Sequence, residues 1–103
     1  MKVTIELQYF EGCPHSQEAI KRVKETIMEF EGSVKYKEVL IETQKDAELY
    51  KFRGSPTILI NGKDIENMPA PEKPHFACRY YKNGLPTVDK IKSLLMEELE
   101  KTE

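Results

Sequence analysis

Residues 3–16 read VTIELQYFEGCPHS, and this stretch decides the fold. Apolar and polar side chains alternate over residues 3–10, which is the pattern of a β-strand with one buried face. A Glu-Gly pair ends the alternation. Pro14 then suits the first position of a helix, because the N–H that proline lacks would be unpaired there. The stretch therefore predicts a strand, a turn and a helix, with Cys13 at the junction.

The chain beyond this unit predicts two more helices and three more strands. Gly32 ends the first helix, and Asn61-Gly62 is a strong signal for a hairpin between two strands. The later elements are a strand over 34–41, a helix from Thr43 to Gly54, strands over 57–60 and 63–66, and a final helix capped by Thr87. The buried side of the helix from Thr43 is expected to carry Ala47, Leu49, Tyr50 and Phe52. The order β-α-β-α-β-β-α predicts an α/β fold with a four-stranded mixed sheet and three helices. Its first two strands are expected to be parallel, and its charged fourth strand is expected at an edge.

Length and composition limit the function classes. A chain of 103 residues predicts one domain over 1–103. A net charge of −2 argues against a nucleic-acid-binding protein. The sequence has no apolar run near the roughly 20 residues of a membrane helix and no secretory signal at its start. We therefore expect a cytoplasmic monomer with no nucleic-acid or membrane partner.

Residues 67–86 differ from the rest of the chain. Four prolines and an Asn-Gly pair interrupt this segment, which lies just before the last helix. A loop of this length in so small a domain is usually functional or disordered. We therefore predict a Pro-rich insertion, and it carries Cys78, the second of two cysteines.

Cys13 has the surroundings of a reactive thiol. At the start of a helix, a thiol faces unpaired backbone N–H groups and the positive end of the helix dipole, and both lower its pKa below about 8.5. His15 is a candidate to stabilise the thiolate by a hydrogen bond or, when protonated, by charge. Two cysteines in a cytosolic chain favour reactive or metal-binding thiols over a structural disulfide. This interpretation requires an accessible, ionised thiol at position 13.

The order of elements, the Cys13-Pro14 run after the first strand and the Ser55-Pro56 pair before the third together resemble the thioredoxin superfamily, particularly its compact glutaredoxin-like members. The resemblance covers nearly the whole chain except the insertion. It implies that Cys13 is the nucleophile and that Pro56 is a cis-proline facing it. It also implies that the backbone at Ser55 and Thr57 positions an extended substrate.

Ser16 departs from the dithiol motif of that superfamily. Its position makes the motif Cys-x-x-Ser, a monothiol arrangement, and the hydroxyl is expected to donate a hydrogen bond to the Cys13 thiolate. A narrower similarity concerns small bacterial thioredoxin-like proteins, some of them labelled alkylmercury-lyase-like. It rests on three segments, namely residues 10–14, residues 52–57 and Cys78-Arg79-x-Tyr81.

Three interpretations of Cys78 are open. As a resolving cysteine it would form a disulfide with Cys13, which requires Cα atoms about 4.4–6.8 Å apart. As a metal ligand it would act with Cys13, His15 and His75, because two Cys and two His can form a tetrahedral zinc site and thiolate pairs suit copper(I) or mercury(II). The third interpretation is a buried, unrelated thiol.

The sequence thus predicts a thiol–disulfide oxidoreductase or thiol-adduct-forming redox protein. Its candidate catalytic residues are Cys13, Pro14, His15, Ser16 and Cys78, and its candidate substrate-binding residues are Ser55, Pro56 and Thr57. Its partner is a protein or low-molecular-weight thiol or disulfide, and no organic cofactor is required. The alternatives are a soft-metal-binding protein and a non-catalytic thioredoxin-like interaction domain.

Overall fold

A mixed sheet of four strands lies at the centre of the computed structural model, which describes residues 3–74 and 77–101. The elements are β1 (Val3–Tyr9), α1 (Ser16–Ile27), β2 (Val34–Leu40), α2 (Gln44–Leu49), β3 (Thr57–Ile60), β4 (Lys63–Asp64) and α3 (Val88–Lys101). The strand order is β2-β1-β3-β4, so β2 and β4 are the edges. β1 pairs with β2 in parallel, and β3 is antiparallel to both β1 and β4. The predicted α/β architecture, element order and strand directions are confirmed.

The core forms between the sheet and two helices. Val3, Ile5 and Leu7 on one face of β1 are fully buried. They pack with the apolar sides of α1 and α3, and the cluster also includes Ala19, Val23, Ile91 and Leu95. A second cluster joins the end of β2 to α2 and contains Val39, Ile41, Ala47 and Phe52. These contacts fix the end of β1 and the start of α1, between which Cys13 lies.

The first helix begins later than predicted. Pro14 lies in a turn rather than at the first helical position, because the Ser16 N–H bonds to the Cys13 carbonyl at 3.2 Å and α1 starts only at Ser16. His15 occupies the N-cap position. Cys13 is therefore three residues before the helix, still at the end where its dipole is positive.

The second helix ends earlier than predicted. Lys51, with φ of 51°, reverses the chain after α2, so the helix ends at Leu49 rather than at Gly54. The Phe52 N–H bonds to the Ala47 carbonyl at 2.8 Å, which is the pairing of a left-handed helix cap. Leu49 is consequently exposed, and its predicted burial is wrong. Thr43 caps the start of α2 as expected, since its side chain accepts from the Asp46 N–H.

The insertion over 67–86 has no helix or strand in the residues described. Among its described residues, the contacts that hold it to the rest of the chain include a bond from the Gln44 side chain to the Pro74 carbonyl, bonds from Arg22 to the Leu85 and Pro86 carbonyls, and an isolated bridge between Cys78 and Ser55. Across the described ranges, no helix is long and apolar enough to cross a membrane.

Candidate functional site

A disulfide joins Cys13 in the β1–α1 turn to Cys78 in the insertion. The two Cα atoms are 6.0 Å apart, inside the expected range. The bond connects positions 65 residues apart in the sequence. Of the three interpretations of Cys78, the unrelated thiol is wrong, because the insertion brings this residue to Cys13.

The two cysteines differ in exposure. Cys13 is only 6% exposed, whereas Cys78 in the insertion is exposed. The expectation of an accessible thiol at position 13 is therefore wrong for the disulfide-bonded state. The segment that carries Cys78 lies along the adjacent loop at Ser55 and leaves Cys13 beneath it.

The loop before β3 contains the predicted cis-proline. The Ser55-Pro56 peptide bond is cis. The Ser55 N–H donates to the Ala77 carbonyl at 2.9 Å, and the Arg79 N–H donates to the Ser55 carbonyl at 2.8 Å. The backbone groups that the resemblance assigns to an extended substrate are thus paired with the chain's own residues. Thr57 is fully buried at the start of β3.

Ser16 bonds to the cis-proline loop rather than to sulfur. Its Oγ donates to the Phe10 carbonyl at 3.4 Å and lies 2.9 Å from the Ser55 Oγ. Because the one hydroxyl proton of Ser16 goes to the Phe10 carbonyl, the Ser55 hydroxyl donates to Ser16. The Ser55 Oγ also accepts from the Phe10 N–H, so the three residues form a closed ring. In the disulfide-bonded state the Ser16 hydroxyl takes part in this ring, which ties β1, α1 and the cis-proline loop together; its expected bond to a Cys13 thiolate stays a prediction.

Ser16→Ala is expected to lower the free energy of unfolding by about 1 kcal/mol, because the substitution leaves a buried acceptor and donor unpaired. If the hydroxyl keeps its bonds to Phe10 and Ser55 on reduction, the alkylation rate of Cys13 in the reduced protein should stay within twofold of wild type. Urea unfolding and timed alkylation measure the two effects. Ser93→Ala, on the exposed side of α3, is the control. A large change in the alkylation rate would contradict the assignment.

The remaining predicted residues lie at the surface of the turn. Pro14 and His15 are exposed, and the His15 side chain makes no capping hydrogen bond. His75 lies outside the described residues. Within residues 3–74 and 77–101, no group of three or more His, Cys, Asp or Glu residues is placed to hold a metal ion. Cys13, His15 and Cys78 therefore do not form such a group.

A buried ion pair beside Cys78 was not predicted. Arg79 binds Asp64 through two hydrogen bonds of 2.6 and 2.9 Å, and their side chains are only 4% and 1% exposed. The second carboxylate oxygen of Asp64 also accepts from the Glu66 and Met68 N–H groups. Burial raises the pKa of Asp64, but the bonds from Arg79 and the backbone outweigh it and hold the pKa below its usual value.

Tyr81 completes this cluster. The Arg79 guanidinium carbon lies 4.5 Å from the centre of the Tyr81 ring, within cation–π distance. The Tyr81 hydroxyl donates to the Pro56 carbonyl at 2.6 Å. Burial raises the pKa of Tyr81, so the phenol stays protonated and remains a donor at neutral pH. The sequence offered one signal, the Cys-Arg-x-Tyr string, and gave no indication of Asp64.

Comparison with known proteins agrees with the fold. The model of a family described as a domain of unknown function, DUF2703, matches residues 13–99. The structure of chloroplastic thioredoxin z is similar at a TM-score of 0.63 and 14% identity, over 97% of this chain and 80% of that one. A selenoprotein W-related protein from Vibrio cholerae has a TM-score of 0.59 and 16% identity, over 96% and 99% of the two chains. An uncharacterized thioredoxin-like protein from Clostridium perfringens has a TM-score of 0.59 and 21% identity, over 93% and 70%. No curated protein matches in sequence. These similarities show a thioredoxin-like fold.

Proposed function

Because this chain belongs to the DUF2703 family, whose function is undefined, we propose a function from the site itself: Cys13 and Cys78 are the redox pair of a thiol–disulfide oxidoreductase. The observation that carries the proposal is the disulfide between them, with Cα atoms 6.0 Å apart. The cis-proline loop beside it supports the finer resemblance to glutaredoxin-like proteins. Unlike a Cys-x-x-Cys protein, this chain supplies its second thiol from the insertion.

The surroundings of the bond support reversible exchange over a purely structural role. Cys78 is exposed and Cys13 is buried, so a dissolved thiol meets Cys78 before Cys13. Cys13 lies at the positive end of α1, where the dipole stabilises the negative charge of a departing thiolate. Exchange is fastest when the attacked sulfur is accessible and the leaving thiol has a low pKa.

The proposed reduction has two steps. An external thiolate attacks the Cys78 sulfur, a new S–S bond forms there, and the bond to Cys13 breaks to release the Cys13 thiolate. A second external thiolate attacks the external sulfur of this mixed disulfide, which releases the Cys78 thiolate and an external disulfide. Two electrons pass from the two thiols to the protein, and solvent protonates the thiolates. The sequence predicts the opposite order, with Cys13 meeting the substrate first, but the difference in exposure favours Cys78.

The partners proposed for this reaction are a low-molecular-weight thiol such as glutathione and a small or protein disulfide. No further cofactor is needed, because the external thiol supplies the electrons. The Ser55 backbone is already paired with the insertion, so a bulky partner has less of the loop available to it.

The test is glutathione-dependent reduction of a small disulfide by wild type, Cys13→Ser and Cys78→Ser. Wild type should have no free thiol when oxidised, should expose two on reduction, and should accelerate the reaction. Both single variants should be slower than wild type, because neither can release its mixed disulfide by closing the intramolecular bond. Cys13→Ser should accumulate a glutathione adduct on Cys78, detected by peptide mass mapping. Wild-type rates in both variants, with Ser93→Ala as control, would overturn the proposal.

A further inference from the structure

Besides the disulfide, the Cys78 segment is held by contacts that do not involve sulfur. Arg79, the residue after Cys78, binds the Ser55 carbonyl through its N–H and Asp64 through its guanidinium. Ala77, the residue before, accepts from the Ser55 N–H. Cys78 is thus fixed on both sides by hydrogen bonds whose atoms take no part in the disulfide.

The ion pair is costly to open. Both side chains are almost completely buried, and separating them would leave a buried carboxylate and a buried guanidinium without their partner. The Asp64 carboxylate is also held in place by two backbone N–H groups, and Tyr81 covers the guanidinium. We therefore expect Arg79 to stay at Asp64 in the dithiol protein.

We propose that Arg79 and Asp64 form a clamp that holds Cys78 beside Cys13 in the reduced protein and so sets the position of the dithiol–disulfide equilibrium. This inference rests on the proposed redox function. Two thiols that are held close together have a high effective concentration and favour the disulfide, whereas a flexibly tethered pair has a lower one. Arg79 and Asp64 are positioning residues, because neither touches the reacting sulfur in the proposed exchange.

The experiment measures the effective concentration of Cys13 and Cys78. Wild type, Arg79→Gln and Asp64→Asn are equilibrated in glutathione buffers of graded composition, quenched by alkylation and quantified by mass. Each variant should show an effective concentration at least about tenfold lower, since its thiols approach the behaviour of a flexible tether. Tenfold corresponds to a reduction potential about 30 mV less negative. Arg79→Lys keeps the charge but loses the bidentate hydrogen bonding to Asp64. Its effective concentration should lie between those of these variants and wild type.

Arg22→Gln is the matched control. It also removes a guanidinium bonded to the insertion, but at Leu85 and Pro86, far along the segment from Cys78. Its effective concentration should stay within twofold of wild type. A clamp with a structural role alone would lower the stability of oxidised and reduced protein equally and leave the equilibrium unchanged. That result in folded Arg79→Gln or Arg79→Lys overturns the inference. The measurement needs no turnover, so loss of the proposed catalysis would leave a shifted equilibrium as separate support for the clamp.

Discussion

Reduction of the Cys13–Cys78 disulfide is expected to lower the free energy of unfolding by about 4 kcal/mol. The bond closes a loop of 65 residues, and opening it returns that loop's conformational freedom to the unfolded chain. The free energy of unfolding of a protein of this size is roughly 5–15 kcal/mol. The reduced protein is therefore expected to remain folded with a smaller free energy of unfolding. The midpoint of thermal unfolding should fall by roughly 20 °C.

Urea unfolding with and without reductant at one pH measures this loss. The double variant Cys13→Ser with Cys78→Ser is the control, and its midpoint should not respond to reductant. Equal midpoints for oxidised and reduced wild type would contradict the expectation. They would mean that the unfolded chain is not restrained by the bond.

Gly54→Ala is expected to destabilise the protein by at least about 3 kcal/mol. Gly54 has φ of +106°, a conformation that L residues rarely adopt. A Cβ there would lie 2.8 Å from the Arg79 Cβ and 3.0 Å from the Arg79 Cα. Because these atoms are close to or in the backbone, no side-chain rotation relieves the contact, and the whole Arg79 segment must shift.

Gly12→Ala separates the effect of backbone strain from the effect of the close contact with Arg79. Gly12 has nearly the same φ, +104°, but a Cβ there would meet nothing within 4 Å. This variant should cost only about 1–2 kcal/mol from backbone strain. Urea unfolding of both variants in the oxidised state gives the comparison. Equal losses at the two positions would show that the approach of Arg79 to Gly54 contributes nothing.

Local patterns predict most of the fold. Alternation over residues 3–10 predicts β1, Asn61-Gly62 predicts the β3–β4 hairpin, and Thr43 and Thr87 mark helix starts. These features act over a few residues, so one sequence is enough to recognise them. The end of α2 is harder to predict from the sequence, because Lys51 occupies a left-handed position that glycine usually takes.

Local sequence patterns predict only some of the residues of the candidate site. Cys13, Ser55 and Pro56 belong to recognisable motifs, whereas the approach of Cys78 depends on contacts distant in the sequence. Arg79 and Asp64 are separated by 15 residues, and charged side chains are mostly solvated. Nothing in their local sequence distinguishes them from surface residues, so the pair becomes visible only once the insertion is folded onto the sheet.

The position of β2 at the edge of the sheet affects how the protein behaves at high concentration. A seven-residue edge strand offers N–H and C=O groups on which a second molecule can build a fibril. Exposed Lys35, Lys37 and Glu38 lie along it, and bringing two copies together would force these charges out of water or against each other. The open side of the sheet is thus a poor template for amyloid growth, which favours solubility during synthesis and refolding.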